Sequence, residues 1–149
     1  MRRLALLTVV VLLVLGPPGT PAAAYAPDPQ TAAAEQVLSD QVNRARAAAG
    51  LSPAAVDPVL ADLARAQAQR MRDAGRGFHN ERLHLEIPRP WGAYAENVAW
   101  GSSLAEVEQL LLGSSPHRAN ILGSYDRVGV GVAGGADMVY VSLVFVRTR

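Results

Sequence analysis

The chain contains no cysteine and no lysine. Without cysteine there is no disulfide and no thiolate metal ligand. A secreted chain of this kind must hold its fold by packing alone. The length of 149 residues allows that, because a domain of this size buries roughly two-thirds of its unfolded surface. All 14 basic residues are arginine, set against 13 acidic ones, and they form no run. The electrostatic footprint of a nucleic-acid or anionic-membrane binder is therefore missing. There is no internal repeat and no nucleophile elbow. No apolar stretch reaches the roughly 20 residues needed to cross a bilayer.

The longest apolar run, Leu4 to Leu15, follows Arg2 and Arg3 and is broken by Gly16-Pro17-Pro18-Gly19. Ala22-Ala23-Ala24 then supplies small residues at the cleavage-relevant positions. This pattern predicts a secretory signal peptide over residues 1–24 and a secreted, extracellular protein without integral membrane association after cleavage. No cysteine follows the run, which excludes a lipid-modified N-terminus. Loss of Arg2 and Arg3 leaves 12 basic residues against 13 acidic ones. Residues 25–30 (YAPDPQ) read as a linker, and residues 31–149 as one domain, expected to be a monomer.

Within that domain, Leu38, Val42, Ala45 and Ala49 recur at helical spacing, with Thr31 as a start and Gly50 as a stop. Asp57-Pro58 opens a second helix, with Leu60, Ala64, Ala68 and Met71 as its apolar stripe and Gly75 at its end. Residues 76–94 have no period, and a loop of that length in a small domain is often functional. AENVAWG (95–101) reads as a short extended piece. Ser103-Leu104-Ala105-Glu106 is a capping box for a third helix ending at Gly113. Ser114-Ser115-Pro116 starts a short fourth one, with a serine side chain as its cap. RVGVGVA and MVYVSLVFVR then alternate as strands joined by a tight turn at Gly134-Gly135. Gly129 and Gly131 leave one strand face bare, so a helix backbone is expected to pack there. Helices first and an antiparallel sheet last predict an α+β fold.

Three ionisable residues stand at element boundaries, where side chains can converge on a cleft: His79, Glu96 and His117. Ser114 and Ser115 lie beside His117, but capping accounts for a serine before Pro116, and catalysis would need a base, an orienter and an oxyanion hole. His84 reads as a solvated loop histidine. Asn97, Arg118 and Asn120 read as structural support, tying the fourth helix and the cleft wall to backbone groups. Trp91 and Trp100 flank the cleft segment as core fillers or as exposed aromatics able to hold a lipid or peptide.

Asn43-Arg44, GFHN (77–80), AENVAWG, SSPHRANIL (114–122) and VGVGVA (128–133) together resemble the CAP superfamily of cysteine-rich secretory proteins, antigen 5 and pathogenesis-related 1 proteins, in a cysteine-free bacterial branch. The resemblance implies a single-domain α-β-α sandwich with helices packed on a small antiparallel sheet and a cleft lined by histidines and acidic residues. His79, Glu96 and His117 match the family's cleft positions. Ala95 replaces the usual glycine before Glu96, Leu111 stands where a tryptophan is often found, and Ser114 falls near the family's second acidic residue. Two neutral imidazoles and one carboxylate suit Zn²⁺ or another divalent metal, with His79 and His117 as ligands. The same three residues also suit a metal-free hydrogen-bonded set. The expected function is a cleft binding a lipid, metal or protein partner outside the cell. The alternatives are a metal-dependent hydrolase with Glu96 as base, and an interaction scaffold with a relic cleft.

Overall fold

The computed structural model describes residues 28–135 and 137–149. The expected signal peptide and residues 25–27 of the expected linker lie outside the described residues. The first helix, α1, spans Pro29–Ala48 and so begins within that linker. Its N-cap is Asp28 rather than Thr31, and the carboxylate accepts from the backbone N–H groups of Gln30 and Thr31 at 3.0 Å each. The turn chemistry of PDPQ explains the earlier start: proline fits the first helical turn directly after an aspartate cap.

A two-residue strand β1 (Ala55–Val56) precedes helix α2 (Pro58–Ala74). Asn43 of α1 grips the backbone just before β1 at both ends of its amide, accepting from Ala54 N at 2.9 Å and donating to Ala54 O at 3.1 Å. Helix α2 has the expected Asp57 cap and ends at Gly75 in the left-handed conformation. The aperiodic stretch holds one helical turn, α3 (Leu83–Glu86), and the start of a long strand, β2 (Trp91–Gly101). β2 thus begins four residues before the extended piece read from AENVAWG. Helices α4 (Leu104–Gly113) and α5 (Ser115–Ile121) follow, then strands β3 (Arg127–Gly134) and β4 (Val139–Thr148). Residues 135–138 connect β3 to β4. Gly135 N donates to Met138 O at 2.7 Å, and Ala136 of this connection lies outside the described residues.

The sheet order is β1-β3-β4-β2. β3/β4 and β2/β4 are antiparallel, whereas β1 pairs with β3 in parallel, so the sheet is mixed rather than purely antiparallel. Two residues carry no readable period, which is why β1 is invisible in the sequence.

Strand alternation sorts side chains to the two faces. Val128, Val130 and Val132 join Val141, Leu143 and Phe145 on the face covered by α1, α4 and α5. The opposite face carries Val144 and Val146, packed on Leu60, Ala64, Leu83 and Ile87. Gly129 and Gly131 point to this second face. A β-carbon on Gly129 would overlap the backbone of Leu60 and Ala61, and one on Gly131 that of Ala64 and Arg65. The bare strand face is therefore occupied by the backbone of α2, as its glycines required.

Candidate functional site

β2 is an edge strand, and consecutive residues in it serve opposite faces of the sheet. Glu96 shares the α2 face with Val98 and Trp100, while Asn97 turns to the side of α4 and α5. This alternation organises the whole site.

The Glu96 side chain is only 6% exposed. Its Oε2 lies 2.8 Å from His79 Nδ1 and accepts from Asn80 N at 2.9 Å. Its Oε1 accepts from Ser142 Oγ at 3.2 Å. Both carboxylate oxygens are thus engaged. His79 stands above the carboxylate with its side chain 60% exposed. A carboxylate held by fixed donors orients the imidazole that contacts it through one ring nitrogen. With Nδ1 turned to Glu96, Nε2 is the ring nitrogen left for a ligand.

The segment that carries His79 is tied down residue by residue. Gly77 lies against the indole of Trp100. Phe78 packs on the cluster of Met71, Val98 and Tyr140. Phe78 O accepts from Gln67 Nε2, a side chain of α2. Residues 77–80 therefore run antiparallel along β2, Gly77 opposite Trp100 and Asn80 opposite Glu96.

On the other side, Asn97 is fully buried and donates through Nδ2 to His117 O at 2.9 Å. Asn120 Nδ2 donates to Asn97 Oδ1 at 2.8 Å. α5 packs with α1 and α4. The backbone carrying His117 is thus tied to β2 through Asn97, whereas the one carrying His79 is tied to it through Glu96. His117 is half-buried, and its Nδ1 is buried without a hydrogen-bond partner. Among the described residues no group of three or more His, Asp or Glu side chains is placed to hold a metal ion. The residues present therefore do not form a three-ligand Zn²⁺ centre in this arrangement, and Glu96 is instead bonded to His79, Asn80 and Ser142.

Arg118 is exposed and its side chain makes no hydrogen bond among the described residues, so the side-chain tie expected of it is not seen there. That work falls to Arg46, a residue the sequence did not single out. Buried in α1, Arg46 donates to Ser52 O at 3.0 Å, Ile121 O at 2.8 Å, Gly123 O at 2.9 Å and Tyr125 O at 2.7 Å. Burial pulls its guanidinium below the usual arginine range. Ser114 accepts no capping bond from α5, and its expected side-chain cap is absent. Ser103 does cap α4, accepting from Glu106 N at 3.2 Å, while Glu106 reaches Ser102 rather than Ser103. His84 is half-buried on α3. Ser142 and Asn80 were also missed. A lone serine inside the apolar run VYVSLVFV was the available signal for the first.

The sequence profile of the cysteine-rich secretory protein family, CAP, matches residues 39–146. The chain is a member of the CAP family. Among solved structures, an outer surface protein of Borrelia burgdorferi aligns with 17% identity and a TM-score of 0.71, covering 78% of this chain and 94% of that one. An extracellular SCP-domain protein of Bacillus anthracis aligns with 24% identity and a TM-score of 0.71 over 89% of this chain, which spans only 45% of that protein. NaASP2, solved with Zn²⁺, aligns with 12% identity and a TM-score of 0.57, covering 81% of this chain and 83% of that one. At these identities the likeness is one of fold. No curated protein sequence gives a significant match. The helices on a small mixed sheet are the α-β-α sandwich of CAP domains, and no helix of the described residues is long and apolar enough to cross a membrane.

Proposed function

We propose that this CAP protein acts outside the cell as a ligand-binding module, with the His79–Glu96 cleft as its binding site. One observation carries the reading. Glu96 is buried and already bonded at both oxygens, while His79 is fixed by it and open to solvent. A general base must offer a lone pair to the proton that it removes. Glu96 is 6% exposed and holds His79, Asn80 and Ser142, so the hydrolase alternative has no solvent-exposed carboxylate base at this position. An oriented imidazole presenting one nitrogen is a recognition element for a lipid headgroup, a partner's donor or a single metal coordination bond. The extracellular and outer-surface character of the similar structures supports a protein exported by the expected signal peptide.

The test is a thermal melt of the purified protein with and without Zn²⁺, beside a His79→Ala/His117→Ala double variant, together with a panel of ester and peptide substrates. Metal bound by the native state alone must raise its melting point. A rise lost in the variant adds a divalent metal to the ligands of the cleft. No rise directs the search to lipids and protein partners. Turnover of any substrate that disappears in Glu96→Gln at unchanged stability overturns the reading in favour of an enzyme.

A further inference from the structure

Four arginines leave α2 and its exit, and they divide by partner. Arg65 and Arg72 face carboxylates, Glu35 at 2.8 Å and Asp73 at 2.9 Å respectively. Arg70 and Arg76 face none among the described residues. Both are nevertheless held in place. Arg70 Nε donates to Gln67 Oε1 at 2.9 Å, and Gln67 is 1% exposed with its other end fixed on Phe78 O. One buried amide therefore sets the plane of the Arg70 guanidinium and leaves its two Nη groups without a partner among the described residues. The Arg76 guanidinium lies 4.9 Å above the Phe78 ring. Arg70, Arg76, Arg82 and His79 line one cleft of about 640 Å³. Its acidic residues are Glu81 and Glu86, and Glu86 is already engaged by Asn80 Nδ2 at 2.8 Å.

A guanidinium preset by a buried side chain, with its donors unused, is arranged for a planar, multidentate oxyanion. We propose that this cleft is an oxyanion site, taking a phosphate group between Arg70 and Arg76 with His79 at the rim. The proposal rests on the reading of the same cleft as the ligand site and adds the chemical class of its ligand. Phosphate chemistry is common to soluble phosphate esters and to phospholipid headgroups.

Sodium phosphate is titrated into the purified protein at constant ionic strength, with chloride as the balancing anion, while amide and arginine Nε–H resonances are followed. The expected result is saturable shifts confined to residues 67–82. The affinity should fall at least about fivefold in Arg70→Met and in Arg76→Met. It should stay unchanged in Arg44→Met, an exposed arginine of α1. Absence of saturable shifts beyond chloride, or equal binding in Arg70→Met, overturns the proposal. Co-sedimentation with phosphatidylglycerol vesicles separates the sources. Vesicle binding that phosphate competes away and Arg70→Met abolishes identifies a headgroup. Phosphate binding without vesicle binding identifies a soluble ester. Vesicle binding that ignores both also overturns the proposal. His79→Ala distinguishes the two readings: phosphate binding that persists there and still needs Arg70 keeps the oxyanion site and removes His79 from it.

Discussion

Gly77 lies on the indole of Trp100, so close that a β-carbon would overlap ring atoms Cζ3 and Cε3. The backbone of Gly77 is not in the left-handed region, where Gly50 and Gly75 alone are found among the described residues. Glycine is therefore required by the contact and not by its φ. The contact also matters for the site, because the same segment delivers His79 to Glu96 two residues later. Trp100 remains 42% exposed, so its burial does little to explain its presence. Its ring serves as the surface that places the 77–80 segment.

Gly77→Ala is expected to cost about 1–3 kcal/mol, the usual penalty of overpacking, and to loosen the His79–Glu96 bond. Urea melts give the first effect and the His79 imidazole proton resonances the second. Trp100→Leu in the same chain should recover part of both by removing the ring that the methyl group meets. Equal losses in the single and double variants would show that the contact does not set the segment.

The glycines of β3 provide a comparison within one strand. Gly131→Ala drives a methyl group into the backbone of α2 at Ala64 and Arg65, whereas Gly134 has nothing within 4 Å of the same position. Backbone cannot swing aside as a side-chain tip can. Gly131→Ala should therefore destabilise by about 3 kcal/mol or more, while Gly134→Ala stays within about 0.5 kcal/mol. Chemical denaturation of the two variants checks the difference.

Arg46 satisfies carbonyls at the end of α5 and in the loop that follows, as well as Ser52 O. Arg46→Met keeps the length of the stem and removes all of these donors. A loss of about 3 kcal/mol or more is expected, since buried acceptors would be left without partners. Arg46→Lys should recover only a fraction, because an ammonium cannot reproduce the guanidinium fork. Arg118→Met, on the surface, should be close to neutral. Thermal melts of the three variants rank them.

The legible parts of this fold were those with a period or a stop signal. Asp57-Pro58, Gly75 and Ser103 mark helix ends through chemistry confined to a few neighbours, and Gly129 and Gly131 announced the approach of α2 before its position was known. What stayed hidden depends on pairs distant in the chain. Arg46 reaches carbonyls more than seventy residues away, and β1 is too short to carry a pattern. His79 and Glu96 were read as partners in one cleft, and their contact is direct. The tie of the His117 backbone to Asn97 could not be read from position, because it depends on the alternation of β2, which sends Glu96 and Asn97 to opposite faces. A motif gives residue types in order, and only the strand register says which side of the sheet each one serves.

Local hydrogen bonds to carboxylates also give the stability of the fold an acidic limit. Hydrogen bonds from the Ser102 hydroxyl and backbone hold Glu106 below the ordinary glutamate value of 4.5. Asp28 is likewise held below 3.8 by the backbone and hydroxyl of Thr31. Burial pushes Asp126 up, but hydrogen bonds from Thr148 outweigh it, and the net direction is down from 3.8. Each group is more acidic folded than unfolded, so the unfolded chain takes up protons first as the pH falls. Their contribution is complete above the ordinary carboxylate values and is lost as the pH drops through the folded ones. That contribution should therefore be constant near neutrality and decline below about pH 4.5. Glu106→Gln should be less stable than the parent at pH 7 and should converge on it at pH 3. Urea melts across that range check this, and a constant difference at every pH would remove Glu106 from the acid response.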